Sequence, residues 1–136
     1  MLVCVDGKSV AEPIIPVAVQ WAKALNLGVR VAVVVHPLDL DVGGFPHDVV
    51  DVIVARLAAS GVPATSVALR GSYTAGAIAD HVADSPIALV AMSALVAMNA
   101  HARGGMARLA LGSVAMATVG LAECPVLLAP TPDHRS

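Results

Sequence analysis

Short apolar runs alternate along the chain with segments whose apolar residues recur at helical spacing. The runs are rich in β-branched residues and end in turn residues, as in "LVCV" (2–5), which is followed by Asp-Gly-Lys-Ser. Such runs are typical of buried strands, and the spacing of Val17, Trp21 and Leu25 is typical of one helix face. The predicted strands are 2–5, 29–35, 64–71, 87–92 and 125–130, and the predicted helices are 9–26, 48–61, 74–84 and 113–123.

The order of these elements predicts an open, mostly parallel, doubly wound α/β sheet with helices on both faces. The 136 residues suffice for one such domain, which we expect to span 1–136. Ligands of these sheets bind beyond the carboxyl ends of the strands, where the strand order reverses. The segments that follow strands at that edge begin at 6, at 36 and at 93.

A capping box is predicted to start the first helix. Ser9 is followed three residues later by Glu12, the spacing at which the two side chains satisfy free N–H groups of a first turn. Pro13 and Pro16 are compatible with a helix only near that first turn. The pattern therefore places the start of the helix at position 9.

A six-residue duplication interrupts the pattern at the fourth strand. Ala-Leu-Val-Ala-Met-Ser at 88–93 is followed at once by Ala-Leu-Val-Ala-Met-Asn at 94–99. Only one copy fits the fourth strand in a normal register. The other copy either extends that strand or belongs to the following loop, and the sequence leaves both open.

Composition excludes several classes of function. The chain is 57% hydrophobic with a mean hydropathy of +0.81, but its densest stretch, 86–100, is shorter than the ~20 residues of a membrane span. Parallel strands that are buried on both faces explain the same hydropathy. The net charge of −2, without a block of like charge, argues against nucleic-acid and membrane partners. No signal peptide is recognisable, so we expect a cytoplasmic protein.

Cysteine and histidine spacing gives no catalytic or metal-binding pattern. Cys4 and Cys124 are expected to be buried, reduced thiols. The five histidines lack metal-ligand spacing, so no metal site is expected. Neither a nucleophile elbow nor a Cys/His pair indicates nucleophilic catalysis.

Asp6 is a candidate binding residue because it ends the first strand. A carboxylate beside the switch point could accept hydrogen bonds from a base or a ribose. Alternatively, Asp6 caps the turn or the following helix. Gly-Lys-Ser at 7–9 lacks the upstream glycine of a P-loop, so Lys8 is interpreted as a solvated turn residue.

The segment "HARGGMARLALGSV" (101–114) contains the elements of a phosphate site. Its glycines permit close backbone approach, and Arg103 and Arg108 could neutralise charge. Gly112 and Ser113 precede a predicted helix, whose free N–H groups favour an anion. The alternative is a flexible loop in which Ser113 only caps the helix.

Both ends of the chain resemble the universal stress protein family. "LVCVDGKSVAEPIIPVAVQWAKAL" is similar to the family's opening strand, Asp-Gly-Ser turn and Ala-rich helix. "HARGGMARLALGSVAMATVGLAECPVLLAP" is similar to its ending, in which Gly-x-x-Gly, nine residues and Gly-Ser precede a helix and Cys-Pro-Val-Leu. The resemblance implies a five-stranded parallel sheet of strand order 3-2-1-4-5, the adenine nucleotide alpha-hydrolase-like fold. It also implies a homodimer paired through the C-terminal strand, and a stress-response or signalling role rather than an enzyme with a defined turnover.

One branch of this family binds ATP or AMP at the switch point, with Mg²⁺ only alongside ATP, and another branch lacks the glycine motif and binds neither. By resemblance, Asp6 lies at the base and ribose end and Val34 meets the base through its backbone. The positions carried over to the loop and to the phosphate-binding helix start are Met98, Asn99, Ala102, Arg103, Gly112, Ser113 and Val114.

Two of these positions depart from the family pattern, because Asn99 and Ala102 stand where glycines are expected. Alanine at positive φ costs about 1 kcal/mol relative to glycine, whereas asparagine tolerates a left-handed backbone. A cost of that size weakens affinity about fivefold, while steric blockage would abolish binding. The leading interpretation is an adenine-nucleotide-binding, universal-stress-like protein with at most very slow ATP hydrolysis. The alternative is a dimeric interaction module of the same fold without a nucleotide.

Overall fold

A computed structural model describes residues 1–38, 44–99 and 108–131 of the chain, with the backbone alone at 94–99 and 108–111. The strands are β1 (Leu2–Cys4), β2 (Val29–Val35), β3 (Ala64–Arg70), β4 (Val90–Asn99), β5 (Arg108–Leu111) and β6 (Val126–Thr131). The helices are α1 (Ile14–Leu25), α2 (His47–Ala59), α3 (Thr74–Asp84) and α4 (Ser113–Leu121). No helix in these ranges is both long enough and apolar enough to cross a membrane.

Five strands pair in parallel in the order β3-β2-β1-β4-β6. This confirms the predicted doubly wound sheet and its order 3-2-1-4-5, with β6 as the fifth parallel strand. The order reverses between β1 and β4, whose register pairs Leu2 with Val90 and Cys4 with Met92. The switch point therefore lies beyond Cys4.

Alternate residues of the central strands enter two separate cores, one on each face of the sheet. Val3, Val31 and Ala91 pack with α1 and α2, whereas Leu2, Ala32 and other residues pack with α3. This double burial explains why the strands are continuously apolar in sequence. The two cores also confirm that helices cover both faces.

Both copies of the six-residue duplication contribute to β4, which begins at the third residue of the first copy. The first copy supplies the part that pairs with β1, and it pairs with β6 up to Ser93 and Ala129. The first two residues of the second copy, Ala94 and Leu95, extend the pairing with β6 to Thr131. The second copy continues the strand and pairs antiparallel with β5, from Val96 with Leu111 to Asn99 with Arg108. Residues 108–111 were predicted to belong to a loop. They form a strand because the apolar second copy provides a partner for them.

Candidate functional site

A cleft of about 320 Å³ opens at the carboxyl ends of β1, β2 and β4, on the α3 and α4 side of the sheet. Its volume is at the lower end of the range of small-molecule sites. Three residues predicted from sequence line it together, namely Asp6, Val34 and Val114. The other lining residues are Cys4, Val5, Ala32, Thr74, Ile78, Met92 and Ser93.

The floor of the cleft follows from the sheet register. Cys4 pairs with Ala32 on β2 and with Met92 on β4, so these three side chains lie in one row across adjacent strands. Burial raises the pKa of the Cys4 thiol to about 12, which keeps it protonated and unreactive at neutral pH. The floor of the cleft is therefore uncharged at neutral pH.

Asp6 closes the turn after β1 and also lines the cleft. Its Oδ1 accepts a hydrogen bond from the Lys8 N–H at 2.8 Å, which closes the turn after β1. The side chain is also exposed to solvent and lines the cleft. Lys8 is exposed, in agreement with its interpretation as a solvated turn residue.

Gly7 holds the turn against the start of α2. Its φ of +77° is in the left-handed region, and a Cβ there would overlap the Pro46 ring. A side chain at position 7 is thus excluded both by backbone conformation and by space. The conformation of the Asp6 turn depends on this contact.

Glu12 lies behind the cleft wall in a position that its sequence pattern did not predict. Its Oε1 accepts a hydrogen bond from the Asp6 N–H at 3.0 Å, and its carboxyl also bonds to the Ser93 hydroxyl. The predicted capping box is therefore wrong: α1 begins at Ile14 with Pro13 as its N-cap, and no side chain caps it. Because a proline ring fixes φ and suits a helix start, Pro13 sets the boundary and releases Glu12 to bond backward.

Burial raises the pKa of the Glu12 carboxyl to about 7, and the adjacent Asp6 carboxylate adds to the increase. The hydrogen bonds from the Asp6 N–H and the Ser93 hydroxyl act in the opposite direction. No basic side chain is among the groups that shift this pKa within the described residues. Glu12 is therefore close to half-protonated at neutral pH.

The start of α4 forms another wall. Gly112 is the N-cap, Ser113 is the first helical residue and is exposed, and no side-chain bond caps the helix. Ser113 thus does not act as the cap that the alternative interpretation required. The Met116 N–H bonds to the Gly112 carbonyl at 3.0 Å, so the first-turn N–H groups before it have no intrahelical acceptor.

The remaining four predicted site residues lie outside the part of the chain whose side chains the structure describes. Met98 and Asn99 lie in the β4 extension, paired with Leu109 and Arg108, and only their backbone is described. Asn99 is in extended conformation rather than the left-handed one considered for it, because it belongs to the strand pair. The two other candidates, Ala102 and Arg103, lie outside the described residues.

The model of the universal stress protein family matches residues 1–130 of the chain. The chain therefore belongs to the universal stress protein family. No curated protein sequence matches it.

Three solved structures illustrate the likeness. A universal stress protein from Archaeoglobus fulgidus in complex with dAMP has a TM-score of 0.68 and 20% identity, over 93% of this chain and 94% of that one. A universal stress protein in complex with cAMP has a TM-score of 0.68 and 17% identity, over 96% and 95%. A family member from Arabidopsis thaliana with AMP bound has a TM-score of 0.61 and 14% identity, over 96% and 91%. At these identities the likeness shows the fold.

Proposed function

We propose that this member of the universal stress protein family binds an adenine nucleotide in the cleft between β1 and β4 and serves as a nucleotide-responsive stress or signalling protein. The observation that carries the proposal is the convergence of Asp6, Val34 and Val114 on one cleft at the switch point. Adenine nucleotides in three structural neighbours support it.

The chemistry of the walls suits a nucleoside. The row of Cys4, Ala32 and Met92 offers an apolar surface to a base, and Asp6 offers a carboxylate to its hydroxyl or amino donors. The first turn of α4 would face the phosphate with free N–H groups at the positive end of the helix dipole. ATP and AMP are the ligands proposed, with Mg²⁺ only alongside ATP.

Slow or absent hydrolysis is part of the proposal. Among the described lining residues, Asp6 is the one carboxylate, and it is already hydrogen-bonded to the turn. A phosphoryl-transfer site usually needs a metal-holding carboxylate and a group that positions water. The bound nucleotide would thus act as a signal rather than as a substrate.

A thermal-shift titration with ATP, ADP and AMP, with and without Mg²⁺, tests the proposal. A ligand at 100 times its Kd stabilises the folded state by about 2.7 kcal/mol, a rise of several degrees in Tm. Asp6→Asn should reduce the shift, whereas Asp51→Asn, an exposed change on α2, should leave it intact. A denaturing extract checks for co-purified nucleotide. The absence of both a shift and any extracted nucleotide would refute the proposal.

An interaction module without nucleotide is the second candidate. It is favoured by Asn99, which pairs in β4 where the family pattern expects a loop glycine. It is also favoured by α4, whose Met116, Val119 and Leu121 remain 56%, 48% and 47% exposed. Saturable nucleotide binding would exclude it.

Homodimerisation through β6 is proposed for either candidate. β6 pairs with β4 on one side. Alternate residues of a parallel strand direct their backbone N–H and C=O groups to opposite sides, so the groups that face away from β4 are those of Val126, Leu128 and Pro130. Because Pro130 has no N–H, a second copy would pair with the first half of β6. Light scattering should give twice the mass of one chain. We also propose the cytoplasm as the compartment, since both cysteines are free.

A further inference from the structure

We infer that Glu12 is a positioning residue of the cleft whose carboxyl takes up a proton when an anionic nucleotide binds, so that affinity rises as the pH falls. The inference rests on the proposed function, because it concerns the regulation of that same cleft. Its physical basis is the hydrogen bonding that joins Glu12 to Asp6 and Ser93 directly behind the cleft wall.

Glu12 connects the two strand ends that border the switch point. Its Oε1 accepts a hydrogen bond of 3.0 Å from the N–H of Asp6, which follows β1. Its carboxyl also bonds to the hydroxyl of Ser93 on β4. Ser93 in turn accepts the Ile14 N–H at 3.2 Å, so the start of α1 is tied to the same group. Because Asp6 and Ser93 both line the cleft, Glu12 sets the position of two of its walls.

Among the described charged side chains around Glu12, the Asp6 carboxylate is the one that shifts its pKa. Asp6 faces it from the β1–α1 loop, with its carboxyl within hydrogen-bonding reach, and the Cys4 thiol lies behind on β1. From α2, Arg56 shares a groove with Glu12, but its guanidinium donates to the Val10 carbonyl at 3.2 Å. Lys8 is exposed in the loop. The described cleft lining contains no cation.

An anionic ligand is therefore repelled by the carboxylates at the site, and protonation of Glu12 reduces this repulsion. Burial and Asp6 raise the pKa of Glu12 to about 7, so the proton is available at neutral pH. An added negative charge about 8 Å away raises the pKa of a half-buried carboxyl by roughly one further unit. Glu12 also lines the groove between α1 and α2, through which the proton can arrive without crossing the cleft.

The test compares two probes by calorimetry at pH 6 and pH 8. Cyclic AMP carries one negative charge throughout this range, because a phosphodiester lacks the second ionisation near pH 6 of a phosphate monoester. Adenosine carries none. If binding raises the pKa of Glu12 by one unit, the Kd of cyclic AMP is about fivefold higher at pH 8 than at pH 6. Adenosine should bind with nearly the same Kd at both.

Glu12→Gln is the matched variant, since the amide oxygen still accepts the Asp6 N–H but the group no longer titrates. It should bind cyclic AMP with one Kd at both pH values, close to that of the unmodified protein at pH 6. Glu12→Ala, which also removes the acceptor, should weaken binding at both. A pH dependence that persists in Glu12→Gln overturns the inference.

NMR of protein labelled with carboxyl-¹³C glutamate reads the proton directly and needs no variant. The chain has two glutamates, and the exposed Glu123 outside the cleft supplies the reference signal. Saturating cyclic AMP should move the Glu12 midpoint upward by about one unit. Binding without such a shift refutes the inference and leaves the proposed function intact, whereas no binding of either probe at any pH refutes both.

Discussion

Replacing Glu12 by glutamine should change how folding stability depends on pH. The folded protein raises the pKa of Glu12 from its ordinary value near 4.5 to about 7. Between these values the folded state holds a proton that the unfolded chain has lost. The contribution of this proton to the free energy of unfolding is therefore complete below about pH 4.5 and is lost as the pH rises through 7.

The size of the effect follows from the same two values. A difference of this extent corresponds to at most about 3 kcal/mol for a fully shielded group. Because Glu12 is only half-buried, solvent screening reduces the expected change to about 1–2 kcal/mol. Glu12→Gln keeps the acceptor for the Asp6 N–H, so the variant loses the titration while retaining that hydrogen bond.

Urea denaturation followed by circular dichroism at pH 4.5, 5.5, 6.5 and 7.5 measures this change. The free energy of unfolding of the unmodified protein should fall relative to that of Glu12→Gln across the series and level off above pH 7. Other titrating groups are common to both proteins and cancel in the difference. Glu123→Gln makes the same chemical change at an exposed site and reports the effect of removing one charge. Parallel curves for the unmodified protein and Glu12→Gln, or a difference of opposite sign, would refute the reasoning.

Three further predictions concern packing. Gly7→Ala should lower the free energy of unfolding by about 1–3 kcal/mol, because φ is +77° and the Pro46 ring fills the space. Gly120→Ala, a helical site with open space, should instead raise it by about 0.5–1 kcal/mol, and equal effects of the two changes in urea denaturation would contradict the assignment. Ile53→Ala should cost about 2–5 kcal/mol in the same assay, since the side chain is fully buried on α2, and a cost below 1 would mean that the core collapses around it. Iodoacetamide at pH 8 should leave Cys4 unmodified in the native protein and alkylate it in urea, because its pKa is about 12; native labelling by mass spectrometry would show that the floor of the cleft opens.

The parallel sheet was predictable because its strands are buried on both faces. Residues such as Val31 and Ala32 belong to different cores, so neither face allows polar residues to interrupt the run. Continuous apolar runs between helices leave few alternatives to a doubly wound sheet. The strand order itself came from the family resemblance and not from the apolar pattern.

The hairpin of β4 and β5 was not predictable because the two copies of the duplication are locally almost identical. Their difference lies in the partners: the first copy reaches Leu2 on β1, and the second has Arg108–Leu111 beside it. The spacing of apolar residues along the sequence does not show which distant segment a strand pairs with. Asn99, where the chain departs from the family pattern, is the last residue of this strand pair.

Glu12 was missed for a different reason, because its spacing from Ser9 satisfies a genuine helix-start pattern. The Ser9 hydroxyl instead accepts the Ala11 N–H at 3.1 Å, and Pro13 starts the helix one turn later. Proline immediately after the supposed third helical residue was the available signal, because the residue before proline is biased away from helical conformation.

The Asp6 turn is positioned by the same carboxyl group whose protonation is proposed to regulate binding. A strand that ends at a switch point leaves an N–H that needs an acceptor, and here the acceptor is a titratable carboxyl rather than a backbone carbonyl. A backbone carbonyl would position Asp6 equally well at every pH. The carboxyl also contacts Ser93, so its charge lies directly behind both walls. If the proposed nucleotide binds there, its negative charge would lie beside an ionised Glu12, so the contact that shapes the cleft would also make the affinity for that anion depend on the proton.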